Sequence, residues 1–465
     1  MKETKEVQYE TIEQAAEEIR RISEEKGSPF TFCVVTFGCQ MNAHDSEKLR
    51  GVLLSMGCVE TESEEADLVI LNTCTVRENA NNKVYGRLGL LKKYKEKNPY
   101  MRLALCGCMM QEDEVIKTLK ESYPFVDLIF GTHNLYRFPE LILSVLRGEG
   151  PVIEIFDHAE MTAESLPSVR NFRFKSGVNI MFGCDNFCSY CIVPYVRGRE
   201  RSRRAQEILA EIEALSAQGV KEIMLLGQNV NSYGKGLETP CSFPELLERA
   251  AQVDGIERIR FMTSHPKDLG TELMDVIAGN PKICRHLHLP LQSGSDEILR
   301  RMNRHYTKQH YLELVEELRK RVPEIALTTD LIVGFPGETE ADFQETLAVL
   351  EEVQFDNAFT FQYSPRRKTP AEKLTGRLSE EVMKDRFERL LEVVKRCAAK
   401  RALEKEGKTE TVLAESVNRQ DEKLLTGRLS NNSLVHFPGD PSLLGTLQRV
   451  KLNKSMGFYY LGERV

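Results

Sequence analysis

The sequence has no tryptophan and no long apolar run. The first absence limits how an RNA-binding surface can be built, and the second argues against a membrane protein. Without Trp, a platform on which RNA bases stack must be built from Phe, Tyr, His or Arg. No stretch approaches the ~20 apolar residues of a membrane helix, and residues 1–29 form a polar, helix-like extension without a signal core. We therefore expect a cytoplasmic protein that does not contact membranes.

The chain has no excess of positive charge, since 63 Lys and Arg face 70 Asp and Glu. The net charge of −7 argues against indiscriminate nucleic-acid binding, although a local basic face can be hidden within a negative total. The length of 465 residues suggests about three domains. Twelve cysteines without an export signal are expected to remain thiols, which in such proteins are more often metal ligands or catalytic groups than disulfides.

Three of these cysteines, Cys184, Cys188 and Cys191, form a C-x3-C-x2-C pattern. Thiolates this close together must point at one centre. An iron-sulfur cubane normally takes four cysteines, so three leave one iron free to bind a small molecule. A structural zinc site takes four ligands, usually as two separated pairs, and no fourth Cys or His lies nearby. The pattern therefore favours a cluster with an open iron.

Around this motif, short apolar runs alternate with amphipathic segments. The predicted strands are Val178–Phe182, Glu222–Leu226, Arg258–Met262, Arg285–Leu289, Ala326–Val333 and Asn357–Tyr363. The predicted helices include Ala205–Gln218, Phe243–Val253, Gln309–Arg321 and Glu340–Val353. Six β-α units predict an α/β fold with a parallel sheet curled into a partial barrel.

Polar, Gly or Pro residues follow each of these six strands. A single such end would be ordinary turn punctuation. Because ligands collect at the carboxyl ends of parallel strands, six polar ends on the same edge as the cysteine loop predict a lined site.

The amino-terminal region repeats this logic. Predicted strands at Phe32–Thr36, Leu68–Leu71 and Arg102–Leu105 lead into Cys39, Cys74 and Cys108. If the strands are parallel neighbours, these cysteines converge on one crevice as a second three-thiol site. The alternative is a set of buried core thiols. We assign that role to Cys33, Cys58, Cys241, Cys284 and Cys397, while Cys106 is ambiguous but expected to point into the packing.

The three-cysteine loop resembles the signature of the radical S-adenosylmethionine (SAM) enzymes. Together with Cys39-Gln40-Met41-Asn42, Asn72-Thr73-Cys74 and Val76-Arg77, the chain resembles the methylthiotransferase family. The motifs Leu226-Gly227-Gln228-Asn229-Val230-Asn231 and Thr263-Ser264-His265-Pro266 resemble the branch that modifies isopentenylated adenosine beside the tRNA anticodon.

The resemblance implies a domain order and a chemistry. A cluster domain is expected at 30–148, a radical SAM core at 170–402 and an RNA-binding barrel called TRAM at 405–465. It implies two 4Fe-4S clusters and SAM, with radical generation at Cys184, Cys188 and Cys191 and sulfur delivery at Cys39, Cys74 and Cys108. The product would be the 2-methylthio derivative of N6-isopentenyladenosine at tRNA position 37. The implied partners are a tRNA anticodon stem-loop, a flavodoxin-like or ferredoxin-like electron donor and a sulfur source, and we expect a monomer.

The same resemblance implies SAM contacts at the strand ends. Gln228 and its neighbour Asn229 would hold the methionine amino group, and Tyr190 would lie by the adenine. Further candidate SAM-binding residues are Ser264, Gln292, Ser293 and Asp330.

The end of the chain predicts a helix over Ser379–Lys405, capped by Ser379, and then five short strands of a small antiparallel barrel. Nine basic against seven acidic residues in 405–465 are a faint RNA signal. A stronger one is the arginine run after the cysteine loop, since arginines grip phosphates and stack on bases. The candidate RNA-binding residues are Arg197, Arg199, Arg201, Arg203, Arg204 and Arg366. A lysine, Lys368, stands where we expect a glycine in the turn after Ser364.

Two alternatives remain at this point. The substrate could instead be threonylcarbamoyl-adenosine in tRNA or a ribosomal protein side chain, although the motifs around Gln228 and His265 favour the isopentenyl branch. From another class, a non-catalytic RNA-binding protein stabilised by metal would also need clustered thiols.

Overall fold

The structure is a computed structural model that describes residues 2–75, 78–158, 161 and 163–465. Val76 and Arg77, which belong to the second amino-terminal motif, lie outside the described residues. The chain forms two compact units, each described below by itself. The first comprises Met1–Asn171 with Ile192–Arg199, and the second comprises Phe172–Cys191 with Glu200–Val465.

The first unit is built on a parallel sheet. Its strands are β1 Thr31–Thr36, β2 Val59–Glu60, β3 Leu68–Thr73, β4 Arg102–Gly107, β5 Leu128–Phe130 and β6 Val152–Glu154. Its helices are α1 Lys2–Lys26, α2 Gln40–Ser55, α3 Glu78–Lys95, α4 Asp113–Ser122, α5 Phe138–Leu146 and α6 Val193–Val196. The strands pair in the order β2-β1-β3-β4-β5-β6, all parallel. Helices cover both faces, which explains why β3 is buried along its whole length.

The two faces of this sheet have separate apolar cores. Helices α1, α2 and α5 pack on one face, and α3 and α4 pack on the other. The polar extension predicted at residues 1–29 contributes to the first core, because Ile12, Ala15, Ile19 and Ile22 of α1 recur at three- and four-residue spacing and are buried.

The register of the sheet brings three strand ends level. Thr36 of β1 pairs with Asn72 of β3, which pairs with Cys106 of β4. The prediction that these strands are parallel neighbours is therefore confirmed, although β3 and β4 each run two residues further than expected. Because all three strands end at one edge, the residues that follow them lie together.

The second unit contains the predicted partial barrel. Its strands are β7 Lys175–Asn179, β10 Glu222–Leu226, β11 Arg258–Phe261, β12 His286–His288, β13 Ala326–Val333 and β14 Asn357–Gln362, with a short hairpin of β8 Met181–Phe182 and β9 Arg201–Ser202. Its outer helices are α7 Ala205–Ala217, α8 Phe243–Ala251, α9 Thr271–Gly279, α10 Asp296–Arg301, α11 Lys308–Arg321 and α12 Glu340–Val353. Two parallel three-stranded sheets, β7-β10-β11 and β12-β13-β14, are joined by a parallel bridge between Ile259 and Ile283.

The alternation predicted from sequence is thus confirmed, with two differences. The strand expected at Val178–Phe182 is divided, since β7 ends at Asn179 and β8 begins at Met181. Helices α9 and α10 are additional. Ser295 caps α10 through its hydroxyl, which accepts a hydrogen bond from the Ile298 amide at 3.4 Å.

A long helix, α13 Glu380–Leu403, leads into a closed barrel. Ser379 caps this helix as predicted, accepting from the Val382 amide. The barrel strands are β15 Thr409–Val417, β16 Leu424–Leu429, β17 Leu434–Pro438, β18 Leu447–Ser455 and β19 Tyr459–Arg464, in the order β15-β16-β17-β19-β18. Four pairings are antiparallel, but β17 and β19 run parallel because β18 reverses the chain between them.

Buried charges fasten this barrel to the amino-terminal ends of the partial-barrel strands. Arg258 donates to the carbonyls of Arg428 and Thr411, and Arg260 donates to those of Leu429 and Ser430, at 2.6 to 2.9 Å. Glu222 lies 3.1 Å from Arg260 and is buried with it. These contacts lie at the ends of β10 and β11 opposite to the cysteine loop, so the carboxyl ends are left for the site.

Candidate active site

The first thiol set is assembled from three strand ends. Cys39 caps helix α2 and is exposed, whereas Cys74 and Cys108 are buried directly after β3 and β4. All three cysteines thus follow neighbouring strands at one edge of the sheet of the first unit. Cys106, by contrast, lies within β4 and packs with the apolar core, as the sequence indicated.

Asn42 joins the loops that carry these cysteines. Its side-chain amide donates to the carbonyls of Phe37 and Thr73, both at 2.8 Å. Its Oδ1 lies 3.9 Å from the sulfurs of Cys39 and Cys108. Because one buried amide touches all three loops, the cysteine spacing depends on it.

Gly38 allows the loop of Cys39 to approach Cys74. Its φ of +108° lies in the region that favours glycine, and a Cβ there would come within 2.5 Å of the Cys74 Cβ and 2.8 Å of its sulfur. A side chain at this position would therefore force the two cysteines apart.

A buried arginine completes the first set. Arg197, in the segment Ile192–Arg199 of the first unit, donates through Nε to the Cys108 sulfur at 3.2 Å. Its Nη2 donates to Asn42 at 2.7 Å and to Asp45 at 2.9 Å. The arginine run predicts an RNA-binding role for Arg197. Its burial corrects that assignment, because a side chain 7% exposed and held by three partners is not presented to RNA.

The second thiol set lies on one loop after β8. Cys184 and Cys188 are buried and Cys191 is half-buried, with the Cys191 amide donating to the Cys188 carbonyl at 2.9 Å. Asn303, just after α10, donates to the Phe187 carbonyl at 3.0 Å. Ser189 is held by the carbonyls of Arg301 and Met302. The loop is thus fixed by main-chain contacts from distant parts of the chain.

This set also has a buried arginine, and sequence reasoning missed it. Arg304 donates to the Cys188 sulfur at 3.3 Å, to the Pro290 carbonyl at 2.9 Å and to the Tyr306 hydroxyl at 3.1 Å. A basic residue three positions after the short helix α10 carries no local signal that it reaches a cysteine over a hundred residues earlier.

Burial raises the pKa of one thiol in each set to about 11, at Cys108 and at Cys184. For Cys108 the positive charge of Arg197 opposes this rise. Both thiols consequently keep their protons near neutral pH until a metal displaces them, so cluster assembly releases protons and is favoured by higher pH.

Comparison with known proteins decides the family. Residues 178–350 match the radical SAM superfamily, and residues 31–131 match the uncharacterized protein family UPF0004. A tRNA-2-methylthio-N(6)-dimethylallyladenosine synthase of Lachnoclostridium phytofermentans is 56% identical over 446 residues, covering 96% of this chain and 98% of that protein. Enzymes of the same name from Alkaliphilus oremlandii and Thermoanaerobacter pseudethanolicus are 52% and 47% identical, covering 94% and 99% of this chain and 93% and 98% of theirs.

The chain belongs to the tRNA-2-methylthio-N(6)-dimethylallyladenosine synthase family.

Solved structures agree on the fold. The radical SAM methyltransferase TsrM from Kitasatospora setae aligns with a TM-score of 0.53 at 16% identity, covering 74% of this chain and 77% of that one. The cobalamin-dependent SAM radical enzyme OxsB aligns with a TM-score of 0.51 at 13% identity, covering 79% and 56%.

In this member of the family, the carboxyl ends of β10 and β11 present polar atoms that have no hydrogen-bond partner among the described residues. These are both amide atoms of Asn231, Oγ of Ser264 and Nε2 of His265, all buried. Burial holds the pKa of His265 down to about 2, so the ring is neutral at physiological pH. Orphaned buried polar atoms fit a polar ligand, since leaving them unpaired is costly. Asn231 and His265 were not among the predicted SAM contacts.

Strained backbone accompanies these strand ends. Thr263 has a φ of +69° and Gln292 a φ of +70°, a region that costs residues other than glycine about 1–3 kcal/mol. Such strain clusters at ligand sites, where it directs particular side chains. Ser264, a predicted SAM contact, follows Thr263 directly.

The other predicted SAM residues have different environments. The Asn229 amide is used within the protein, donating to Asp268 at 2.7 Å and accepting from the His265 amide at 3.1 Å. Ser293 is fully buried beside Thr346. The backbone N–H of Gln292 donates to the backbone carbonyl of Asp330. Asp330 is half-buried, 3.5 Å from His288. Tyr190 packs against the apolar cluster that includes Phe335, and Gln228 is half-buried at the end of β10.

The remaining arginines of the predicted RNA-binding run divide by exposure. Arg203 is buried, donating to the Asn179 carbonyl and pairing with Glu211 at 2.8 Å, so its predicted RNA role is also corrected. Arg199 and Arg204 are exposed, while Arg201 and Arg366 are half-buried.

Lys368 occupies the turn position after Ser364 where a glycine is expected. Its φ of +69° is the conformation for which glycine is favoured, so the turn keeps its shape and the lysine bears the strain.

Among the described helices, none is both long and apolar enough to cross a membrane.

Proposed function

We propose that this chain is a radical SAM methylthiotransferase that adds a methylthio group to C2 of N6-isopentenyladenosine at tRNA position 37. The observation that carries this proposal is the pair of three-thiol sets, the first after the parallel strands β1, β3 and β4 and the second on the loop after β8. A protein stabilised only by metal would need closed, four-ligand sites, and each set here stops at three cysteines.

The donor chemistry fits the family's cofactors. Cys39, Cys74 and Cys108 would hold one 4Fe-4S cluster, and Cys184, Cys188 and Cys191 another. When bound, the clusters and SAM supply radical generation and sulfur transfer, which side-chain acids and bases cannot perform on an aromatic C–H bond. The chain's own residues position these groups. Ser264, Asn231 and His265 offer the unpartnered atoms suited to a polar cofactor at the second set.

Both thiol sets are proposed to serve a single substrate base. Cys191 is followed at once by Ile192–Arg199, a segment that belongs to the first unit and carries Arg197, the partner of Cys108. Cys191 of the second set and Arg197, which contacts a cysteine of the first set, are therefore six residues apart in the sequence. This short sequence separation is consistent with sulfur delivery to the base on which the radical would be made.

The apolar branch of the substrate has a matching surface. Phe359 and Phe361 of β14 are 46% and 40% exposed and lie two residues apart, hence on one face of the strand. Phe359 contacts the His288 ring, at a centroid distance of 5.8 Å. An exposed aromatic pair suits a dimethylallyl group better than a threonylcarbamoyl group, whose carboxylate would need a cation.

For the RNA itself, we propose that the exposed side chains of Arg199 and Arg204 contact phosphates. The half-buried Arg201 and Arg366 would add weaker contacts, and the carboxyl-terminal barrel would add further ones. A base held in the anticodon-loop stack must be turned outward to be modified. A cytoplasmic location, an external electron donor and a sulfur source complete the proposal.

Nucleoside mass spectrometry tests the function. A deletion strain is expected to lose 2-methylthio-N6-isopentenyladenosine and accumulate N6-isopentenyladenosine, with wild-type protein restoring the product. If instead a methylthiolated threonylcarbamoyl-adenosine or ribosomal side chain disappeared while this nucleoside persisted, the substrate assignment would be wrong.

A further inference from the structure

Each thiol set has one cysteine sulfur in contact with a buried guanidinium. We propose that Arg197 and Arg304 are positioning residues that raise the reduction potential of the cluster held by each set, and that Arg304 does so more strongly. The inference rests on the proposed function in so far as clusters occupy these cysteines.

The contacts are direct at both sites. Nε of Arg197 lies 3.2 Å from the Cys108 sulfur, and Nη1 of Arg304 lies 3.3 Å from the Cys188 sulfur. Both side chains are nearly inaccessible, with exposures of 7% for Arg197 and 4% for Arg304. A charge held this close to a ligand and away from water is poorly screened.

The physical effect follows from the charge of the cluster. A cubane bound by three thiolates is anionic, and adding an electron makes it more so. A fixed cation and an N–H donor at a ligand sulfur therefore stabilise the reduced form more than the oxidised form. Net charge and hydrogen bonds to sulfur are among the factors that set the potentials of such clusters.

The two arginines differ in their other partners. Arg197 shares its charge with Asp45, whose Oδ2 accepts at 2.9 Å. Among the described residues, the other hydrogen-bond partners of Arg304 are the Pro290 carbonyl and the Tyr306 hydroxyl, neither of them a carboxylate. The second set consequently receives an uncompensated positive charge and the first a partly neutralised one.

This asymmetry matches the proposed division of labour. The cluster that Cys184, Cys188 and Cys191 would hold would need an electron to supply SAM cleavage, so a cation that favours its reduction would assist that chemistry. The cluster that Cys39, Cys74 and Cys108 would hold would supply sulfur and would not need to be reduced as easily.

Reductive titration of full-length protein, reconstituted without oxygen and monitored by electron paramagnetic resonance, measures each potential. The second cluster is read in a background with Cys39, Cys74 and Cys108 replaced by Ala, and the first with Cys184, Cys188 and Cys191 replaced by Ala. Arg304→Met is expected to lower the equilibrium constant for reduction at least tenfold, or 59 mV for one electron. Arg300→Met, an exposed neighbour in α10, is the matched control and should change it less than twofold.

Two variants, of Arg197 and of Asp45, test the first thiol set. Arg197→Met is expected to lower the reduction constant by about threefold, a smaller shift than at Arg304, because Asp45 already offsets its charge. Asp45→Asn removes that offset and should raise the constant above wild type. Equal potentials in wild type and Arg304→Met, with full iron content, would overturn the proposal, as would a larger shift at Arg197 than at Arg304.

A lysine variant keeps the test of Arg304 decisive if Arg304→Met loses its iron. Arg304→Lys retains the charge without the planar fork, and its reduction constant should stay within threefold of wild type. A tenfold fall in Arg304→Lys would show that charge is not the cause. These readouts need no tRNA, so a shifted potential in a protein that makes no methylthio product would leave this inference standing while the proposed function failed.

Discussion

The two thiol sets are built by opposite strategies. Cys39, Cys74 and Cys108 come from three separate strands and meet because β1, β3 and β4 end at one edge of a sheet. Cys184, Cys188 and Cys191 share one short loop, which contacts from distant segments fix in place. The first set therefore depends on the fold of its whole unit, whereas the second depends on local spacing and a few supporting contacts. Despite this difference, each set has a buried arginine on one sulfur.

Removing the second set should have the largest effect. Replacing Cys184, Cys188 and Cys191 by Ala is expected to abolish formation of 5'-deoxyadenosine from SAM, and with it all methylthiolation, because no other described cysteines stand at this loop. Product analysis after anaerobic reconstitution measures both outcomes. In a matched control, the core thiols Cys241 and Cys397 are replaced by Ala, and this variant is expected to retain normal activity. Persistent SAM cleavage in the triple variant would separate the radical chemistry from this loop.

Removing the first set should divide the two activities. Replacing Cys39, Cys74 and Cys108 by Ala is expected to abolish methylthiolation while sparing a measurable rate of SAM cleavage, since the second set is untouched. Iron content should fall to about half of the roughly eight irons expected for two cubanes. Unchanged methylthiolation in this variant would show that the amino-terminal cysteines carry no sulfur to the substrate.

The sequence predicted the two thiol sets for different physical reasons. Cys184, Cys188 and Cys191 stand too close in the sequence to point at separate centres. Cys39, Cys74 and Cys108 follow apolar runs, and such turns mark the carboxyl edge of parallel strands, where these folds hold their ligands. The six strands of the partial barrel and Ser379 as a helix cap followed from equally local patterns. Cys106 could be separated from Cys108 because it falls inside the strand.

What escaped prediction depends on contacts between residues far apart in the chain. Arg197 and Arg203 belong to a basic run that the sequence assigns to RNA binding, and only the fold shows that both are buried. Arg304 has no motif that points to Cys188. Likewise, the attachment of the carboxyl-terminal barrel through Arg258 and Arg260 uses main-chain carbonyls, which leave no trace in the sequence.

Gly38→Ala gives the smallest change that should distinguish the two sets. The added Cβ would meet Cys74 at 2.5 Å in a backbone conformation of φ +108°, so a loss of about 1–3 kcal/mol in unfolding free energy is expected. Iron bound at the first set should fall, while SAM cleavage at the second set stays at the wild-type rate. Thermal unfolding and iron analysis measure these effects.

Gly86→Ala is the control for that substitution within the same unit. Gly86 is an exposed residue of α3 with no atom within 4 Å of an added Cβ, so alanine there should stabilise the helix by up to about 1 kcal/mol. The two substitutions are thus expected to shift the melting temperature in opposite directions, and only Gly38→Ala should reduce the iron content. If Gly38→Ala retained full iron and wild-type methylthiolation, the close approach of the Cys39 loop to Cys74 would not be required for the first set to bind its cluster.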